Sequence, residues 1–305
     1  MSWSELLELR GAGGEPVDFT RTVLSHGLAD LPPNLIPQDG SRLQTVLRIG
    51  DRAWLVSLEP AGQARARLQA SGRAPSARVA GELVRAMRHM LRLDEDLSAF
   101  YAAAGADPAL AWTTSGAGRM LRSPTVFEDV VKTICTTNCA WSGTVRMVSA
   151  LVSSLGLAVR GAEDRRAFPD AAAMASAGAE FYRDVARAGY RGAYLRTLAD
   201  DVASGRLDLE ALNDPSLDDD EVAERLLALP GVGPYAMAHV MMLLGRYRRL
   251  ILDSWTRPTY RRLSGRPRVT DKGIERAFRR YREFAGLAFW LTLTEGWVTS
   301  SQPPA

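Results

Sequence analysis

The residues best suited to chemistry lie in the last third of the chain. Leu229-Pro230-Gly231-Val232-Gly233-Pro234-Tyr235-Ala236 separates an apolar stretch over residues 222–229 from another over 236–244. That order implies two helices joined by a Gly-Val-Gly turn. Glycines at this spacing allow positive φ and keep side chains out of the turn. The N–H groups of Gly231, Val232 and Gly233 and the start of the second helix can then face an anion such as a DNA phosphate. The same pattern also serves as a plain tight turn between helices. About twenty residues further on, Ile251-Leu252-Asp253-Ser254-Trp255-Thr256-Arg257 puts an acid at the exit of an apolar stretch. Two uses fit Asp253 together. It can cap a helix starting near Ser254, and it can be a partly desolvated carboxylate set where positive charge develops on a sugar. Capping would hold the carboxylate in place.

The elements that must position these residues change character along the chain. Over residues 15–80, Thr45-Val46-Leu47-Arg48-Ile49 and Ala53-Trp54-Leu55-Val56-Ser57-Leu58 alternate apolar and polar positions between Pro32-Pro33, Asp39-Gly40 and Gly50-Asp51, which predicts antiparallel strands and turns. From about residue 80 the spacing becomes helical, with Leu83, Met87, Met90 and Leu91 three and four apart and another helix expected over 94–101. Ser123-Pro124 and Asp219 are expected helix starts. The division expected is an antiparallel β domain over 1–80 and a helical domain over 81–305, with the hairpin at 229–235. No repeat or low-complexity tract interrupts it, and residues 300–305 are expected to fray.

Composition narrows the function classes. Apolar residues make up 46% of 305 but form no run of about 18 able to span a bilayer. The opening Met1-Ser2-Trp3-Ser4-Glu5 has no basic and apolar export pattern, so the cytoplasm is the expected compartment and no membrane partner is expected. Cys135 and Cys139, the only cysteines, cannot complete a four-ligand zinc or iron–sulfur site. The net charge of +3 says little, but residues 246–282 hold thirteen Lys or Arg against Asp253, Asp271 and Glu275. Such a segment can follow a phosphate backbone or be a solvated face in an arginine-rich chain.

Taken in order, these segments resemble the helix-hairpin-helix/Gly-Pro-Asp DNA glycosylases. The hairpin followed by Asp253 carries the resemblance first. Gly118-Arg119-Met120-Leu121-Arg122-Ser123-Pro124, leading into Phe127-Glu128 and Ile134-Cys135-Thr136-Thr137-Asn138, is similar to the 8-oxoguanine branch. So is Gly189-Tyr190-Arg191-Gly192-Ala193-Tyr194, and Ala285-Gly286-Leu287-Ala288 is similar to the final core helix. The likeness runs from about Asp18 to Trp297. It implies an α+β fold, mainly α: an N-terminal antiparallel β domain shared with the 3-methyladenine and 8-oxoguanine branches, and two helical lobes flanking a cleft. It also implies a monovalent cation at the hairpin backbone, near Leu229 and Val232, and no cofactor or redox metal.

The resemblance further implies a monomer acting on double-stranded DNA that contains a damaged base. Asp253 would be catalytic, Asn138 would help fill the gap left by an extruded base, and Gly231, Val232 and Gly233 would grip the backbone. Tyr235, His239, Phe289 and Gly27 would line the base pocket. Trp255 and Arg257 would meet phosphates, although Arg257 equally suits a surface ion pair, His239 a packed helix histidine, and Phe289 and Trp290 the core. Where lyase members of the family carry a lysine, two residues after the second hairpin glycine, this chain has Tyr235; Lys132 and Lys272 are its only lysines. A phenol forms no Schiff base, so hydrolysis without lyase chemistry is expected. An aromatic pocket suits cationic alkylpurines and puts them narrowly first. The alternatives are an 8-oxoguanine-type glycosylase and a non-catalytic DNA-binding hairpin protein.

Overall fold

The computed structural model describes residues 3–62 and 64–298; the expected fraying at 300–305 lies outside them. Strands β1 (Trp3–Glu8), β2 (Leu43–Ile49), β3 (Arg52–Pro60) and β4 (Arg65–Ala70) form an antiparallel sheet in the order β1-β4-β3-β2. The alternation read in the sequence sets its faces. Leu43 pairs with Leu58, Thr45 with Val56 and Leu47 with Trp54, and all six are buried. Gly50, at φ +62°, turns β2 into β3. The edge strand β1 escapes that pattern because most of its side chains face solvent and Leu6 is exposed beside buried Leu7. Helix α1 (Phe19–Val23) and a 3₁₀ turn over Gly27–Asp30 interrupt the expected strand region. Asp18 caps α1 by accepting the Arg21 N–H at 2.9 Å, while Phe19 and Val23, one turn apart, are both buried.

Helix α2 (Ala77–Met90), capped by Ser76, spans residue 80 and presses Leu83, Met87 and Met90 into the sheet's core. That core also takes in Leu93 and Leu121, so the unit built on the sheet continues past residue 80. The rest is helical: α3 (Ser98–Gly105), α4 (Val126–Thr136), α5 (Trp141–Leu155), α6 (Ala171–Ser176), α7 (Arg191–Ala203), α8 (Asp219–Leu227), α9 (Pro234–Leu243), α10 (Thr256–Ser264), α11 (Asp271–Phe278) and α12 (Ala285–Thr294). A short hairpin, Ala158–Val159 with Ala162–Arg166, follows α5. Helix α4 starts beyond Ser123-Pro124 because Thr125 caps it, while the Ser123 N–H goes to Asp129. Asp218 caps α8, one residue before the expected start.

Helices α9 and α12 are buried nearly all round, as sequences without a polar face must be. Helix α9 packs against α4 and α8, and α12 against α10 and α11. A buried polar network locks the sheet unit to this core. Arg119, 0% exposed, pairs with Glu15 and donates to the carbonyls of Arg92 and Glu95. Arg92 pairs with Glu95 at 2.6 Å and donates to the carbonyl of Leu243, the last residue of α9.

Candidate active site

Asp253 sits on the approach to α10 and carries out the capping expected of it. Its Oδ1 accepts the N–H groups of Trp255 (2.8 Å) and Thr256 (2.6 Å), and its own N–H donates to Thr256 Oγ1 at 2.8 Å. These reciprocal bonds fix the carboxylate plane. Oδ2 has no hydrogen-bond partner among the described residues and is left for other chemistry. Tyr235, in the first turn of α9, is close enough for the Asp253 charge to help raise its phenol pKa, although burial is the larger cause. The Tyr235 hydroxyl also meets Thr136 Oγ1 at 3.2 Å, which opposes that rise. Neither lysine stands at this point. Lys132 is 1% exposed and paired with Glu128 at 2.7 Å, and Lys272 lies exposed on α11.

The hairpin divides its expected roles unequally. Gly231 adopts φ +82°, and a Cβ there would come within 2.8 Å of the Tyr194 ring. Gly233 is extended, with φ −103° and ψ −175°, and a Cβ there would meet nothing within 4 Å. Positive φ is thus needed at the first glycine only. The Val232 N–H donates to the Leu229 carbonyl at 3.2 Å and the Val232 side chain is buried, which corrects its expected place among the anion donors. The N–H groups of Gly231 and Gly233 have no acceptor among the described residues and remain available. Among the described residues the Val232 carbonyl likewise takes no backbone donor and that of Leu229 takes one, so oxygen lone pairs suited to a hard cation are present.

Three segments far apart in sequence meet around this turn. Tyr194 packs on Gly231 and stands edge-on to Tyr190, with ring centroids 5.8 Å apart. Asn138, exposed and at φ +47°, donates from Nδ2 to the Tyr190 hydroxyl at 3.3 Å. Arg191 lies over the Tyr190 ring and donates to the Thr137 carbonyl, holding the turn that presents Asn138.

Among solved structures, the chain is similar to the 3-methyladenine DNA glycosylase from Archaeoglobus fulgidus, with TM-score 0.74 and 20% identity over 95% of this chain and 98% of that one. It is also similar to the Clostridium acetobutylicum 8-oxoguanine glycosylase/lyase in its apo form, with TM-score 0.71 and 18% identity over 97% and 98%. The same enzyme in complex with double-stranded DNA containing cytosine opposite 8-oxoguanine gives TM-score 0.71 and 19% identity over 97% of each chain. This chain has their fold. No family model matches the sequence, and no curated protein does.

Within that fold the expected pocket residues separate. His239 is 3% exposed, one turn after Tyr235, with ring centroids 6.0 Å apart. Gly27 lies under the Trp141 indole, 3.3 Å from where its Cβ would be. Phe289 is corrected: it is 0% exposed and packed edge-on between Tyr260 and Phe278, because it faces α10 and α11 rather than α9. Its neighbour Trp290 takes the inner position, 6.4 Å from His239 and 5.7 Å from Trp255. Trp255 is half-buried, with its indole clustered against Trp290 and Trp297. Arg257 forms a bidentate pair with Asp271 at 2.8 and 3.0 Å, the ion-pair use open to it from the start. Sequence reasoning missed His26, Trp141 and Trp297. His26 adjoins Gly27 and Trp141 follows Asn138 by three residues, but no motif marks their side chains, and only packing shows what they face.

Proposed function

We propose that this protein is a DNA glycosylase that hydrolyses the bond between a damaged purine and its sugar in double-stranded DNA, leaving an abasic site without lyase chemistry. The observation that carries the reading is Asp253: one oxygen is locked by the cap of α10, and the other is unpartnered near Tyr235 and the hairpin helix. Extrusion of a base from the stack costs a few kcal/mol, least for a damaged one. The free N–H groups of Gly231 and Gly233 would hold a phosphate beside the lesion. The Leu229 and Val232 carbonyls would hold a monovalent cation that reinforces this electrostatic grip. Asn138 and Tyr190 would occupy the space vacated in the duplex. Asp253 would then stabilise the oxocarbenium-like sugar and orient water onto it.

Tyr235 at the position of the expected nucleophile supports hydrolysis, as does the burial of Lys132 in its pair with Glu128. Alkylated purines fit best among lesions. Trp141, which is exposed, and the half-buried Tyr235 offer aromatic surface to a cationic base, and burial lowers the His239 pKa to about 4, so the imidazole adds no repelling charge at neutral pH. The chain is expected to act as a monomer.

The test is base release from duplexes carrying one 3-methyladenine, 7-methylguanine, hypoxanthine, uracil or 8-oxoguanine, with Asp253→Asn beside the native chain. We expect release from an alkylpurine duplex to fall by about 10²–10³ in the variant while duplex binding is kept, with no covalent species trapped by borohydride. Binding without release from any duplex would point to the non-catalytic reading, and borohydride trapping to the lyase one.

A further inference from the structure

Between the sheet unit and the hairpin helix, two buried histidines stand 5.6 Å apart, edge to face. His26 Nε2 lies 2.6 Å from the Leu121 carbonyl. A carbonyl only accepts, so Nε2 carries the proton and Nδ1 is a bare acceptor. That Nδ1 is buried without a partner among the described residues, and so are both nitrogens of His239. Nearby polar groups are engaged elsewhere. The Ser25 carbonyl takes Trp290 Nε1 at 2.9 Å, Ser25 Oγ takes the Leu121 N–H, and Lys132 is held by Glu128. Burial keeps His26 neutral, with its pKa lowered to about 3; the nearby His239 and Lys132 add to that, and only the Leu121 bond opposes it.

Three buried nitrogens without partners form an incomplete hydrogen-bonding set, because such groups are nearly always satisfied in a finished site. The set adjoins the proposed chemistry. His239 touches Tyr235 and Trp290, and Trp290 touches Trp255, whose N–H is held by Asp253. On the other side, Gly27 follows His26 and is covered by the indole of Trp141, which is 45% exposed.

We propose that His26 and His239 form a hydrogen-bonding floor that reads the edge of the extruded base and selects bases presenting an N–H donor beside an acceptor. This rests on the glycosylase reading. His26 Nδ1 supplies an acceptor, and the neutral imidazole of His239 supplies one donor and one acceptor. The complementary edge is an amino or imino N–H next to a carbonyl or ring nitrogen, as in adenine- and guanine-type lesions. Unsubstituted purine, with no N–H when joined to a sugar, lacks it.

The test uses the full chain and duplexes with one uncleavable 2′-fluoro nucleotide bearing 3-deaza-3-methyladenine, hypoxanthine, 8-oxoguanine, uracil or unsubstituted purine, plus a tetrahydrofuran abasic duplex. His26→Gln keeps a donor for Leu121 while removing the imidazole Nδ1, and His239→Leu removes both nitrogens; His239→Phe, which has no polar atom and is closer in size to the imidazole, replaces the latter should it fail to fold. We expect the native chain to bind at least one N–H-bearing lesion about tenfold or more tighter than unsubstituted purine. Each variant should lose most of that preference yet bind the abasic duplex unchanged. Preference kept in both variants, or absent from the native chain, overturns the floor. Base release measured in parallel separates the two ideas. Release with histidine-independent preference leaves the glycosylase standing without the floor, and histidine-dependent preference without release leaves the floor in a binding protein.

Discussion

At the scale of single residues, the two hairpin glycines make opposite predictions. Gly231 is required by φ +82° and by Tyr194, whereas Gly233 is extended in open space. Gly231→Ala should therefore lower stability, by about 1–3 kcal/mol for a strained left-handed residue. Gly233→Ala should leave the melting temperature within a degree or two and weaken duplex binding, because the added methyl occupies the approach of a phosphate. Equal melting temperatures for the two variants would contradict this. The histidines carry a pH prediction. Burial lowers the pKa of His26 to about 3 and of His239 to about 4, below the unfolded value of 6.5. The unfolded chain thus takes up protons first, and the stability these groups lend above pH 6.5 is lost as pH falls toward 4. At pH 5 the loss is roughly 2 kcal/mol per histidine. Asp129, raised by burial to about 6, acts in the opposite direction, since its contribution is lost as pH rises through 6. Urea midpoints at pH 7 and 5 should differ accordingly, with a smaller difference for His239→Leu.

At the scale of elements, the caps and clamps decide whether the site exists. Asp253→Asn keeps a side-chain oxygen for the first turn of α10 and should melt close to the native chain. Asp253→Ala loses the cap and about 1 kcal/mol. Melting curves of both variants would separate the structural from the chemical use of this residue. Arg119 ties the loop holding Glu15 to the segment after α2, and Arg92 passes that tie to the end of α9. Arg119→Met leaves Glu15 buried without its partner. A loss of about 3–5 kcal/mol in denaturant unfolding is expected, and a surface-like loss below 1 kcal/mol would show that the network does not hold the sheet unit to the hairpin helix.

At the scale of the whole molecule, charge is unevenly distributed. In the basic segment, Arg246, Arg249, Arg257 and Arg280 are spent on Asp219, Asp220, Asp271 and Asp107. Arg261, Arg262, Arg266, Arg268 and Arg276 are exposed without an ionic partner among the described residues, on and beside α10 and α11. If this face follows the DNA backbone, the logarithm of affinity should fall linearly with the logarithm of salt. Each contacting arginine changed to Gln should then reduce the slope by about 0.9. Slopes unchanged in Arg261→Gln/Arg262→Gln would assign the charge to solvation alone.

The local parts are legible in the residues alone: the alternation that makes β2 and β3, the wholly apolar helices α9 and α12, the Gly-Val-Gly turn, the capping aspartate, and the order of motifs that resembles the glycosylase fold. These follow from periodicity and turn chemistry, which act over a few residues. Which side chains share a space is visible only in the folded molecule. It set Trp290 rather than Phe289 against His239, gathered Trp255 with Trp290 and Trp297, engaged the Val232 N–H, and brought His26 from the sheet unit against the hairpin helix. The physical reason is that a helix buried all round carries no polar stripe to mark which face meets which neighbour, so only packing against the other elements assigns it.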